Sequence, residues 1–131
     1  GCTNLTSAPE LPAETLADYC YKGMFKGCTN LTSAPELPAE TLAVGCYQDM
    51  FWGCTKLSTV TMLAPSDQIT SKFPSLYWLD NNAGGDASSR KLKVQDVDAY
   101  NALESTGYLP ENWKKGATNT TVLKKDNTEI K

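Results

Sequence analysis

The 131-residue chain carries 12 Lys and Arg against 15 Asp and Glu, a net charge of -3. That balance argues against a nucleic-acid binder, which needs clustered cations to neutralise phosphates. Histidine is absent, which removes the commonest general base, the usual partner of a Ser or Cys nucleophile and the commonest transition-metal ligand.

From the N-terminus, residues 1–17 (GCTNLTSAPELPAETLA) recur letter for letter as residues 27–43, and GCTKLST opens a diverged third copy at Gly53. A fixed period of this length predicts stacked units that bury a continuous core, an α/β solenoid. Apolar positions repeat in columns: Leu5, Leu31 and Leu57; Ala8, Ala34 and Val60; Leu11, Leu37 and Leu63. Continuing at the same period, Leu16 matches Leu42. Tyr21 falls with Tyr47 and Phe73, Met24 with Met50 and Leu76, and Phe25 with Phe51 and Tyr77. The third copy is expected to hold this register although its letters change.

Short strands are predicted at Leu5–Ala8, Leu31–Ala34 and Leu57–Val60. Pro9 and Pro35, which cannot donate to a ladder, should stop the first two. Parallel strands from successive copies would form a narrow sheet, ~4.8 Å per strand. The return from Glu14 to Phe25 should make one or two helical turns, entered near Pro12 or Pro38. Gly27 and Gly53 then supply the bend into the next strand.

Cys2, Cys28 and Cys54 share one position of the period, and Cys20 and Cys46 another. They read either as ladders of small buried side chains or as disulfides such as Cys20–Cys28 and Cys46–Cys54. Without CxxC or His, zinc is not expected.

The segment CYKGMFKGCTNLTSAPELPAETL, residues 20–42, resembles the BspA-like leucine-rich repeats of bacterial cell-surface proteins. In that family a Phe lies a few residues before a Cys, a Leu opens the strand and a Pro closes it. Phe25, Cys28, Leu31 and Pro38 hold those positions here, and Phe51, Cys54 and Leu57 repeat most of them. Ala34, Pro35 and Glu36 replace the family's usual aliphatic strand pair, so a shorter strand is expected. The resemblance implies leucine-rich repeats over residues 1–79, with units starting at 1, 27 and 53. It also implies an extracellular or bacterial cell-surface location and an adhesin-like role, with no catalytic residues to carry over.

After Trp78 the expected period ends. The polar, Gly-rich stretch Asp80–Ser89 reads as a loop, and KLKV (91–94) alternates like a strand. Asp96 suits the N-cap of a helix over Val97–Ser105 that Gly107 ends. Residues 120–123 and 128–130 read as a hairpin around Asp126 and Asn127. Residues 80–131 are therefore expected to form a small α+β cap over the last copy. Because the chain opens inside a copy, it reads as a fragment lacking a leader and earlier copies.

The best binding candidates are the exposed strand positions. Thr6, Thr32 and Ser58, with Ser7, Ser33 and Thr59, make rows of hydroxyls, and Glu10 and Glu36 add charge. Such rows either bind a partner on a repeat surface or simply suit exposed strands. Trp52 could stack on a sugar or a protein, or pack beside Trp78. Asp80, Asn82 and Asp86 could ligate calcium, but Lys91 stands where an EF-hand has its closing Glu, so a plain turn is expected. The stacked pairs Glu10–Glu36 and Glu14–Glu40 lack the asymmetry that separates an acid from a base. No cofactor, metal or nucleic acid is expected, and no apolar run approaches the ~20 residues of a membrane-spanning helix. The expected function is a non-enzymatic interaction module that binds a protein or glycan, possibly from a host, through its strand face. The alternative is a structural spacer that projects another domain.

Overall fold

A computed structural model describes residues 4–131, so the expectations placed on Cys2 lie outside the described residues. Four strands, β1 (Ser33–Leu37), β2 (Thr59–Met62), β3 (Arg90–Val94) and β4 (Thr120–Leu123), pair in chain order into one parallel sheet. Helix α1 (Ser66–Lys72) follows β2, and α2 (Val97–Thr106) follows β3. A single 3-10 turn at Glu111–Trp113 precedes β4. The protein is α/β, and among the described residues no helix is long and apolar enough to cross a membrane.

Strand alternation decides which residues enter the core. Val60 and Met62 of β2, Leu92 and Val94 of β3, and Val122 of β4 are buried, while Lys91, Lys93, Thr59 and Thr61 alternate with them. The strands start later than the sequence predicts. Leu31 and Leu57 do not open strands: their N–H groups donate to Cys28 and Cys54 carbonyls in a tight turn, and both side chains are fully buried. In the first copy the strand shrinks to a single bridge, Ser7 to Ser33. Nor does Pro35 stop β1. It sits inside the strand, and the pairing slips around it, from Ser33↔Thr59 to Glu36↔Thr61. Two residues face one across that step, so the missing N–H is absorbed by a bulge and the strand continues.

The return segments of the first two copies are turns rather than the predicted helix, and their hydrogen bonds follow a simple rule. Alternate N–H groups donate to the neighbouring copy: Tyr19, Tyr21, Gly23 and Phe25 to the carbonyls of Val44, Cys46, Gln48 and Met50. The intervening groups, such as Cys20, Lys22 and Met24, donate back three residues to Ala17, Tyr19 and Tyr21. Every amide in this stretch is thereby paired without a helix. The stacking brings Tyr21 parallel to Tyr47 at 6.2 Å and Phe25 parallel to Phe51 at 5.9 Å. Each such pair contributes on the order of 1 kcal/mol beyond its buried area.

The third copy breaks the expected register. Positive φ values at Tyr19, Gly23 and Gly27 recur 26 residues on at Gly45, Asp49 and Gly53, then 28 residues on at Phe73, Tyr77 and Asn81. The hydrogen bonds agree: Gly45, Tyr47, Asp49 and Phe51 donate to Lys72, Pro74, Leu76 and Trp78. Phe73 and Tyr77 therefore do not join the aromatic columns. They stand at left-handed turn positions, 51% and 48% exposed, while Ser75, Trp78 and Leu79 fill the core. The cause is α1. A helix rises 1.5 Å per residue against about 3.3 Å for extended chain, so it takes up more residues over the same span. The first two copies cross that span without a helix.

The second half differs from the α+β cap predicted for it, because β3 and β4 run parallel within the same sheet. Helix α2 forms where its caps predict. Asp96 Oδ1 accepts from Ala99 N at 2.8 Å, and Gly107, at φ 82°, ends it. Ala99, Tyr100, Ala102 and Leu103 bury one face, and α2 packs on α1. After β4 the chain folds back as predicted: Leu123 bridges Glu129 antiparallel, and Ile130 N donates to the Val122 carbonyl.

Candidate functional site

The outer face of the sheet carries two rows of side chains in register. One runs Ser33, Thr59, Lys91, Thr121, and the other Glu36, Thr61, Lys93, Leu123. Parallel pairing sets successive members about 4.8 Å apart. Both rows are exposed or half-buried, and their charge changes sign along the sheet, from Glu36 to Lys91 and Lys93.

At the acidic end lies a cleft of about 410 Å³, lined by Glu10 and Glu36 together with Leu11 and Pro9, Pro12, Pro35 and Pro38. The prolines give it stiff walls, since each fixes its own φ. A second cleft of about 420 Å³ adjoins it through Pro38, where Glu14 and Glu40 meet Lys125. Both stacked carboxylate pairs noted in the sequence thus face clefts.

The hydroxyl row is only partly available. Thr32 Oγ1 donates to the Thr6 carbonyl at 3.1 Å, and Ser58 Oγ donates to the Thr32 carbonyl at 2.9 Å. The backbone amides of Thr32 and Ser58 donate to the same two carbonyls, at 3.0 and 2.8 Å. These hydroxyls reinforce the ladder between copies, so as donors they are already engaged. Thr6, Thr32 and Ser58 align, but they do not line the Glu10–Glu36 cleft. Trp52 belongs to neither: it lies half-buried in the return turns, with Lys26 Nζ 4.8 Å from its ring centroid. That cation occupies the ring face a sugar would need.

Thr61, Lys91, Lys93 and Thr121 belong to the face and were missed as site residues. The alternation in KLKV revealed a strand, but nothing local in it says which sheet it joins.

The Asp80, Asn82 and Asp86 group, expected to be a plain turn, does not converge on one cleft. Asp80 and Asn82 line a cleft of about 470 Å³ with Arg90 and Asn112, whereas Asp86 is not part of that lining. Burial, and then the nearby Asp49 carboxylate, raise the Asp80 carboxyl above its ordinary range. Arg90 is a brace. Its guanidinium donates to the carbonyls of Gly84 (2.8 Å), Asn112 (2.9 Å) and Thr118 (2.7 Å) and to Thr120 Oγ1 (3.0 Å). Among the described residues no group of three or more His, Cys, Asp or Glu is placed to hold a metal ion. Cys46 and Cys54 are buried free thiols, so the Cys46–Cys54 disulfide is not formed, and Cys20 is an exposed one. Burial pushes Cys46 up to about 11 and Cys54 up to about 12, which leaves both protonated and unreactive at neutral pH.

No protein-family model matches the chain, nor does any curated protein or solved structure, so the geometry of the sheet face carries the functional reading.

Proposed function

We propose that the chain is a leucine-rich-repeat solenoid that acts outside the cell as a non-enzymatic interaction module. Its partner is a protein or glycan held on the strand face. The observation that carries this reading is the pair of in-register rows, with the Glu36 carboxylate at one end and Lys91 and Lys93 further along the sheet. A periodic surface with separated charges suits an extended polymer or a protein surface better than a small substrate. The Glu10–Glu36 cleft gives the ligand a point of entry with stiff apolar walls and two acceptors.

A spacer that projects another domain is the second reading. It is favoured by the engagement of the Thr32 and Ser58 hydroxyls in the backbone ladder, which makes that row structural.

A screen of the chain against immobilised glycans and extracellular-matrix proteins separates the two. The variant Glu36→Ala/Lys93→Ala alters the face without touching the ladder hydroxyls. A ligand whose affinity falls about tenfold or more in the folded variant supports the strand-face reading. Silence across the array supports the spacer, and a ligand bound equally by both proteins places the site off this face.

A further inference from the structure

Two structural roles commonly explain lysine on the outer face of a sheet, and Lys91 and Lys93 fill neither. Lysines guard exposed sheet edges against pairing with another chain, but β3 lies between β2 and β4 and has no free edge. Lysines also stabilise sheets by pairing with carboxylates on the next strand. The cross-strand neighbours of Lys91 are instead Thr59 and Thr121, and those of Lys93 are Thr61 and Leu123. Among the described residues neither ammonium group makes an ion pair or a hydrogen bond. The hydroxyls of Thr59, Thr61 and Thr121 make no hydrogen bond either, unlike those of Thr32 and Ser58. Carboxylates do stand in the same row as Lys93, but further off. Glu36 lies on β1, and Glu129 bridges Leu123 antiparallel beyond β4. Each is two strands from Lys93, roughly 10 Å. Lys125, by contrast, lines a cleft together with Glu14 and Glu40.

We infer that Lys91 and Lys93 recognise the carboxylates of a polysaccharide whose charged units are uronic acids, an inference that rests on the strand-face reading. The two lysines stand two residues apart on one strand, about 6.6 Å, so their flexible stems can bring both ammonium groups to one carboxylate. The unengaged threonine hydroxyls on either side suit the hydroxyls of neighbouring sugars, since each can donate and accept. The make-up of the face argues against other partners. Protein interfaces are depleted in Lys and centre on apolar and aromatic side chains, whereas Leu123 is the single apolar member of the two rows. A nucleic acid or a densely sulfated chain carries negative charge at every unit. Laid across the strands, it would meet Glu36 and Glu129 on either side of the lysines, and the rows hold no Arg or aromatic side chain to offset that repulsion. A polymer with carboxylates only at intervals places one on the lysines and neutral sugar over the rest of the row.

The test is fluorescence anisotropy of a labelled hyaluronan oligosaccharide, in which uronate alternates with a neutral sugar, titrated with the 131-residue protein. Saturable binding is expected. It should weaken about tenfold or more for folded Lys91→Gln/Lys93→Gln protein, and likewise for the same oligosaccharide with its carboxylates methyl-esterified. The charge-matched variant Lys114→Gln/Lys115→Gln, on the α2 side where Lys115 stands over the Tyr100 ring, should bind as the native chain does. Absence of binding overturns the inference, as does equal binding of the ester or by the Lys91→Gln/Lys93→Gln protein. Tighter binding of heparin or of a DNA duplex overturns it too, by making the pair a general polyanion patch. A protein or neutral glycan that binds and is lost in Glu36→Ala/Lys93→Ala, while hyaluronan does not bind, overturns this inference and leaves the strand-face reading standing.

Discussion

Two glycines with similar positive φ show how a residue's surroundings set its importance. Gly84 and Gly107 have φ of 73° and 82°, in the left-handed region where a side chain costs roughly 1–2 kcal/mol. Around Gly107 nothing lies within 4 Å of an added Cβ. At Gly84 the same atom would meet Trp113 Cζ2 at 2.7 Å and the Leu57 carbonyl at 2.9 Å. Trp113 cannot swing aside freely, because its Nε1 donates to the Ala83 carbonyl at 2.9 Å. Gly107→Ala should therefore cost roughly 1 kcal/mol and Gly84→Ala roughly 2–4 kcal/mol, since overpacking adds to strain. Urea titration of both variants checks the order, and equal losses would mean that the packing around Gly84 yields.

At the level of elements, α2 and the return turns use opposite strategies for the same accounting. Helix α2 satisfies its amides internally and relies on Asp96 for its first turn. Asp96→Ala should cost about 1 kcal/mol, read as a lower urea midpoint at unchanged m-value, with Asp96→Asn restoring most of it. The turns of the first two copies satisfy half their amides across to the next copy, so they depend on having a neighbour. This explains why apolar spacing predicted a helix there: Leu16, Tyr21 and Met24 fall at loosely helical intervals. Alternating tight turns place the same side chains inward, so the periodicity did not distinguish the two. The slip in the third copy is not legible in the sequence for a similar reason. Phe73, Leu76 and Tyr77 are apolar residues at the old period, but the two-residue excess around α1 moved them out of the core columns. Burial then fell to Ser75, Trp78 and Leu79.

Over the whole molecule the stacked core links stability to pH through its buried thiols. An unburied thiol has a pKa near 9, and burial raises Cys46 to about 11 and Cys54 to about 12. Below pH 9 both the folded and unfolded chains keep these protons, so the thiols add no pH dependence. Above pH 9 the unfolded chain loses them while the folded one holds them, which favours unfolding. Stability should accordingly fall from pH 9 towards pH 11 and 12. Urea midpoints at pH 8, 9.5 and 10.5, compared between the native chain and Cys46→Ala/Cys54→Ala, isolate this contribution. The variant starts less stable but should lose less over that range, and parallel slopes would assign the loss to other groups.

The sequence by itself determined what depends on near neighbours along the chain or on the recurrence of the period. That includes the period of the first two copies, the pairing of Tyr21 with Tyr47 and Phe25 with Phe51, α2 with both its caps, and the turn at Asp126 and Asn127. Caps, turns and column residues act within a few positions or through letter-for-letter recurrence, so they can be read without coordinates. Only the tertiary structure decided that β3 and β4 extend the sheet of the copies, where the third copy slips, and which hydroxyls are committed to the backbone. Those outcomes rest on pairing and burial between residues far apart in the chain. KLKV and TTVL alternate alike whether they extend an existing sheet or build a separate one. Thr32 has the same letter whether its hydroxyl meets a ligand or the Thr6 carbonyl.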